Sequence, residues 1–230
     1  DLTWTMTVRD APIEPYQPYM PIPARFSGRF NGDSKNRVAL KGEKVILTST
    51  VTSWADKFEA RFPGAERPSL AIERMDLVGI DLDWPNRAKV AKAGFRRLQA
   101  EIERGKDGSL DIVKLFGGPA APAGGPAPAR TAPGDKAGPA FKFLLEKLAL
   151  SEGTLSFVDE MVSPPTTLAL SDLTLSLESV TWPVVGPARL SIGAGLPGSG
   201  RVEITGSVVP QPLDLTWTMT VRDAPIEPYQ

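Results

Sequence analysis

An all-β chain is what this sequence predicts, and three observations predict it. Apolar and polar residues alternate strictly, as in Leu2, Trp4, Met6 and Val8 against Thr3, Thr5 and Thr7. Period two marks a strand with one apolar face and one wet face. β-branched and aromatic residues fill such stretches, and turn residues recur between them at the spacing of meandering antiparallel sheet. Helical periodicity, third, is almost absent: only Arg87–Gly105 reads either way.

The first strand ends at Asp10-Ala11-Pro12. Pro12 to Pro23 holds five prolines, which cannot donate a continuous ladder. This segment reads as an extended crossover with Tyr16 and Tyr19 packed down. Strands follow at Ala24–Phe30, Arg37–Lys41, Lys44–Thr52 and Lys57–Phe62. Asn31-Gly32-Asp33 reads as a turn and Lys41-Gly42-Glu43 as a tight hairpin. Ser69–Trp84 is one long strand, or two with a bend near Gly79.

The stretch "RAKVAKAGFRRLQAEIERG" has the composition of a basic amphipathic helix. Val90, Gly94 and the turn at Lys106-Asp107-Gly108 instead suit a hairpin leading into Ser109–Phe116, and the strand reading is preferred. Residues 117–139 are almost entirely Pro, Ala and Gly. They cannot bury enough apolar surface to offset their ordering entropy, so a flexible surface loop is expected. Strands resume at Phe141–Leu150 and Thr154–Asp159, with a turn at Glu152-Gly153. Thr166–Leu170, Leu173–Val180, Ala188–Leu196, Arg201–Val209 and Leu213–Arg222 complete about a dozen short strands. The expected organisation is two halves of β structure, 1–116 and 140–230, either side of that loop.

Composition excludes several functions. The formal net charge of -1 leaves no excess of Lys and Arg to neutralise phosphates, so no nucleic acid is expected. No dense basic cluster would hold an anionic membrane surface, and no stretch is apolar enough to span a bilayer. The absence of Cys removes disulfides, thiol nucleophiles and thiolate metal sites. Without His there is no Ser-His-Asp triad, no His-bearing zinc site and no neutral-pH acid–base group.

The remaining motifs carry little chemistry. Gly193-Ala194-Gly195-Leu196-Pro197-Gly198 fits G-x-G-x-x-G, yet Pro197 sits inside it and a strand, not a helix, follows, so it reads as a turn. Asp76, Asp81 and Asp83 read as a solvated strand face rather than a hard-cation site. Lys89, Lys92, Arg96 and Arg97 read as exposed charges of mixed sign. No paired carboxylates stand opposite each other in sequence terms. No enzyme, cofactor or metal is expected.

What remains is the alternation itself. Leu168, Leu170, Leu173, Leu175 and Leu177 share one side, as do Leu215, Trp217, Met219 and Val221. Such faces suit the inside of an ordinary sandwich. They equally suit one long curved sheet whose apolar face is covered by something other than protein.

"SLDIVKLF", the Pro/Ala/Gly loop and "FKFLLEKLALSEGTLSFVDEMVSPPTTLALSDLTLSL" resemble the AsmA-like proteins of Gram-negative envelopes, in particular the DUF748 group. So does "GRVEITGSVVPQPLDLTWTMTVRDAPIEPYQPYM" when the tail is read into the head. The resemblance implies a repeating β-groove related in architecture to TamB. It implies an apolar trough crossing the periplasm from an inner-membrane anchor, with phospholipid acyl chains as its cargo and attachment to the membrane through regions missing here. On that reading Trp4, Met6, Leu168, Leu170, Leu173, Leu175, Trp217 and Met219 contact lipid. No catalytic residues carry over.

"DLTWTMTVRDAPIEPYQ" stands at 1–17 and again at 214–230 without a difference. The sequence is therefore expected to be an excised or engineered piece, or one period of a tandem array. Repeat units bury their open edges against the next unit. A copy at each end would let copies stack head to tail into a filament or long trough. The alternative function is thus a structural, filament-forming β-repeat module without lipid transport.

Overall fold

The computed structural model describes residues 1–19, 24–42, 44–62, 65–111, 141–210 and 213–224. Ten strands, β1 (Leu2–Pro12), β2 (Arg25–Lys41), β3 (Lys44–Arg61), β4 (Leu70–Trp84), β5 (Arg87–Arg104), β6 (Lys142–Asp159), β7 (Thr166–Trp182), β8 (Ala188–Gly195), β9 (Arg201–Pro210) and β10 (Leu213–Arg222), build it. They lie side by side in chain order in one sheet, with β1 and β10 at its two open edges. The all-β expectation holds. Among the described residues no second sheet packs on the first, so the sandwich is replaced by a single long curved layer.

The strands are fewer and longer than the sequence suggests. Asn31-Gly32-Asp33 is not a turn but the middle of β2, because Gly32 is paired on both sides, with Val8 and with Ser53. Ladders on both flanks leave the backbone no freedom to turn. Glu152-Gly153 likewise lies inside β6, and Ser171-Asp172 inside β7. Here turn-forming residues make kinks within strands: Glu152 has φ +55° and Asp172 +47°. The hairpin at Gly42 is real, with φ +62° and Lys41 opposite Lys44. β5 is extended from end to end, its helix-favouring composition overridden by partners on both edges, β4 and β6.

The β5·β6 pair is parallel, whereas the other eight junctions are antiparallel. A plain antiparallel meander is therefore corrected at one place. The connection from residue 105 to 141 returns the chain to the end where β5 began, which is what parallel pairing requires. Within it, Leu110 bridges Arg104. The rest of the expected strand Ser109–Phe116, and the expected flexible loop 117–139, lie outside the described residues.

Between β1 and β2 the proline-rich segment forms a short 3-10 turn, Glu14–Tyr19. Tyr16 and Tyr19 are 57% and 85% exposed, so they are not packed down as expected. Polar groups dock the segment instead. The Ile13 amide donates to Gly28 O, Gln17 Nε2 donates to Ala24 O, and the Phe26 amide donates to Gln17 Oε1.

Kinks recur from strand to strand. Lys57 in β3, Arg97 in β5, Glu152 in β6 and Asp172 in β7 all adopt φ near +50°. Such bulge-like residues bend a strand and increase its twist. Arg97 ties the kinks together, donating to Glu73 at 2.7 Å and Glu152 at 2.8 Å. Hydrogen bonding from Arg97 holds the Glu73 carboxyl below its ordinary range. Lys147, then Arg189, does the same for Glu178, and Arg9 with Thr7 for Asp33.

These carboxylates are exposed or half-exposed, so each contribution is small and screened by salt. The sign is nevertheless defined. A carboxyl whose folded pKa is depressed adds stability that is complete above the ordinary carboxylate range and is lost as pH falls through the folded value. Melting followed by circular dichroism should show a plateau at neutral pH and a decline on acidification, shallower in high salt. A flat profile down to strongly acid pH would contradict these ion pairs.

Candidate functional site: an uncovered apolar face

Residues opposite one another in neighbouring strands share a face of the sheet. Pairings can therefore be followed across the whole molecule. One row runs Met75, Phe95, Leu150, Leu175, Ile192, Ile204 and Met219, from β4 to β10. A second runs Met6, Ser34, Val51, Ile80, Val90, Leu145 and Val180, from β1 to β7. A third joins Phe26, Ala60, Leu70, Ala100, Leu155 and Leu170. Apolar side chains thus cover one face without interruption by charge along these rows.

Nothing in the described residues covers that face. No large side chain is fully buried, and the buried apolar residues are mostly alanines, such as Ala55, Ala60, Ala93, Ala188 and Ala194. These small residues disappear beneath larger neighbours, which themselves stay half exposed. A closed domain of this size buries a substantial core of large side chains. Contiguous exposed apolar surface is uncommon on a domain that fills its own core.

All eight expected contact residues lie on this face. Trp4 and Met6 belong to β1, where Trp4 shares a row with Asn36, Ser49, Leu82, Ala88, Phe143 and Trp182. Leu168 stands opposite Phe157, Leu170 opposite Leu155, Leu173 opposite Gly153 and Leu175 opposite Leu150. Trp217 and Met219 in β10 stand opposite Gly206 and Ile204. The Leu residues of β7 sit mid-sheet and half buried, whereas Trp217 and Met219 at the edge are half exposed. Phe95, Leu148, Leu150, Ile192 and Ile204 belong to the same surface but were not singled out by sequence. Their alternation was legible, but which strands flank β7 was not.

A hollow of about 740 Å³, open to solvent, lies not on this face but on the other, lined by Glu59 in β3, Ala71 in β4, Gln99 in β5, Thr154 in β6 and Ala169 in β7, whose positions alternate with the apolar rows.

The opposite face is wet and closed by charge. Lys89 pairs with Glu146 at 2.8 Å, and Lys147 and Arg189 both reach Glu178. Trp54 on this side lies under the guanidinium groups of Arg9 and Arg74, 5.3 and 5.1 Å from the ring centre. Asp76 accepts from Arg74 and Asp81 from Thr50, and Asp83 lies 4.0 Å from Arg87. All three acids stand on the wet face, each beside a donor or a cation. No group of three or more potential metal ligands occurs among the described residues. Arg96 and Arg97 likewise face Glu73. Gly193 and Gly195 lie in β8, followed by the 3-10 turn Pro197–Ser199 and then β9, so the glycine motif is a strand connection. Among the described residues no helix is long and apolar enough to cross a membrane.

One face can thus remove hydrocarbon from water while the other stays hydrated. No family model, no curated protein and no solved structure matches this chain.

Proposed function

We propose that this chain is a segment of a periplasmic conduit that carries phospholipid acyl chains between the inner and outer membranes of a Gram-negative envelope. The carrying observation is the single open sheet with an uncovered face that is free of charge along its rows and apolar from β4 to β10, with Ser34, Asn36, Ser49 and Ser53 as polar members in β2 and β3. The mechanism is passive. Acyl chains lie against the apolar rows and leave water, at about 0.8 kcal/mol per buried methylene. Headgroups remain at the wet rims. The resemblance to AsmA-like proteins supports the cargo and the compartment.

Leu173→Glu tests the reading. Leu173 lies on the apolar face opposite Gly153, and a Cβ added at that glycine would stand 3.1 Å from the Leu173 Cβ. On an uncovered face a new carboxylate reaches water and the sheet survives. Its strand circular dichroism should match the parent. Uptake of a phospholipid with a fluorescent acyl chain from phosphatidylglycerol vesicles should fall about tenfold, the equivalent of losing one leucine's apolar contact. A parent chain that takes up no labelled lipid sinks the proposal. So does a Leu173→Glu chain that unfolds, since that would show a core filled from within.

A further inference from the structure

We propose that the two sheet edges are complementary to each other between copies, and that copies of this chain join head to tail by strand exchange: β10 of one copy takes the place of β1 in the next. The inference stands independently of any lipid cargo.

Three geometric conditions must hold for one strand to serve in both places, and all three do. Direction is the first. Across ten strands with only antiparallel junctions, β1 and β10 would run in opposite senses. The single parallel junction, β5·β6, reverses the count, so β1 and β10 run the same way. Face is the second. The row Val8, Gly32, Ser53, Leu77, Ala93, Leu148, Leu177, Leu190, Gly206 and Trp217 joins the two edges by direct pairings. Leu215, Trp217 and Met219 therefore point to the same side as their twins Leu2, Trp4 and Met6. Shape is the third. Asp10 and its twin Asp223 have φ +51° and +50°, so β10 already bears the kink that fits β1 to β2.

Each copy displays what the other lacks. β1 is bonded only to β2, and β10 only to β9. The bare edge of β10 is the edge that β1 uses on β2, because the two sequences are identical. After exchange, Asp214 takes the place of Asp1 beside Arg37. Thr220 takes that of Thr7, and Arg222 that of Arg9 in its bidentate pair with Asp33. The ladder lost by β1 is rebuilt residue for residue.

The driving force is conformational. β10 is already ordered on β9, so pairing its second edge fixes no new backbone, while the displaced β1 regains its freedom. Only the association term opposes this, so assembly grows with concentration. Exposed strand edges are templates for such pairing. The contact is heterologous, so it builds an open array unless the rotation per copy closes a ring. Trp217 lies level with Val8, not with its twin Trp4, a stagger of four residues or about 13 Å per copy. Successive copies therefore continue the apolar face along a slanted, superhelical path.

The test uses the full chain, which has no cysteine of its own. Thr216→Cys with Arg37→Cys places the two thiols opposite one another only in the joint, because Thr3 stands opposite Arg37 in β1·β2. Mild oxidation should give a ladder of covalent multimers on a non-reducing denaturing gel, lengthening with protein concentration. Adding Arg222→Glu places a carboxylate against the next copy's Asp33 and should reduce the ladder about tenfold. Within its own copy that change faces Arg201, so the fold is not endangered. Adding Asp33→Arg as well reverses the pair and should restore the ladder. A chain that yields only monomer, a cross-link confined to one copy, or a ladder indifferent to Arg222→Glu overturns the proposal.

Discussion

Gly206→Val should strip β10 from the sheet. Gly206 lies in β9, between Leu190 of β8 and Trp217 of β10 in the same row. A Cβ there would stand 2.8 Å from Trp217 Cα and closer still to the carbonyl oxygen of Thr216. Both are backbone atoms, and backbone held in a ladder cannot yield as a flexible side-chain end does. One of the two strands must move. β10 has β9 as its only neighbour and every residue of it is exposed, so β10 moves. β9 stays, held by β8 through eight paired residues. Hydrogen exchange should therefore show the amides of 213–222 passing from protected to unprotected, while β3 to β7 keep their protection. The multimer ladder should vanish with them, because the donor strand is no longer preorganised. Unchanged protection of 213–222 would show that β10 tolerates the methyl groups, and the close approach at Gly206 would be wrong.

The strand content was legible in the sequence because it depends on a local signal, the alternation of apolar and polar residues. β1, β9 and β10 were placed within a residue or two for that reason, and both ends of β4 were too. What alternation cannot report is whether a polar, turn-forming pair ends a strand or merely kinks it. Glu152-Gly153 and Asn31-Gly32-Asp33 have the same composition in either role. The outcome is set by partners on both flanks, supplied by residues up to several dozen positions away. β5 is the sharper case. Its Ala, Lys, Arg, Gln and Glu favour a helix, and only the two strands that receive its edges hold it extended. The parallel junction was invisible for a related reason, as nothing within β5 or β6 encodes the sense of the connection between them.

The candidate surface was legible in its chemistry and not in its layout. Leu168, Leu170, Leu173 and Leu175 could be assigned to one side of one strand by counting. That they continue through Phe157, Leu155 and Leu150 of β6 and through Ile192 of β8 required the registers. The duplicated segment is similar. Identity of the two copies was plain, yet whether they could stand in for one another depended on direction and face. Both are sums over every intervening junction, and a one-residue slip at any of them would have put Trp217 on the wet side.

Gly79→Val should lower the melting temperature by about 6–12 °C, from a loss of roughly 3 kcal/mol. Gly79 has φ +66°, a region that a β-branched residue enters only under strain, and its Cβ would meet the Ala91 Cβ at 2.8 Å. The position cannot simply relax to a regular strand. Between Val51 and Ser53 of β3 the chain advances two residues, while β4 advances three, from Ile80 to Leu77. Gly79 belongs to the extra residue. Removing the bulge would slip the part of β4 before Gly79 by one position and turn every side chain there over. Arg74 and Asp76 would enter the apolar face, and Met75 and Leu77 would leave it. The register is therefore kept and the strain is retained, which is why the loss is large for a half-exposed site. Gly79→Asn provides the control, because asparagine tolerates left-handed backbone. It should recover the part due to φ and keep the part due to Ala91, melting between the parent and the valine variant. The bend passes through the same rows that form the apolar face, so uptake of labelled acyl chains should fall in the order parent, Asn, Val. A valine variant that melts with the parent would mean that the bulge at Gly79 relaxes without loss, contrary to the close approach of Ala91.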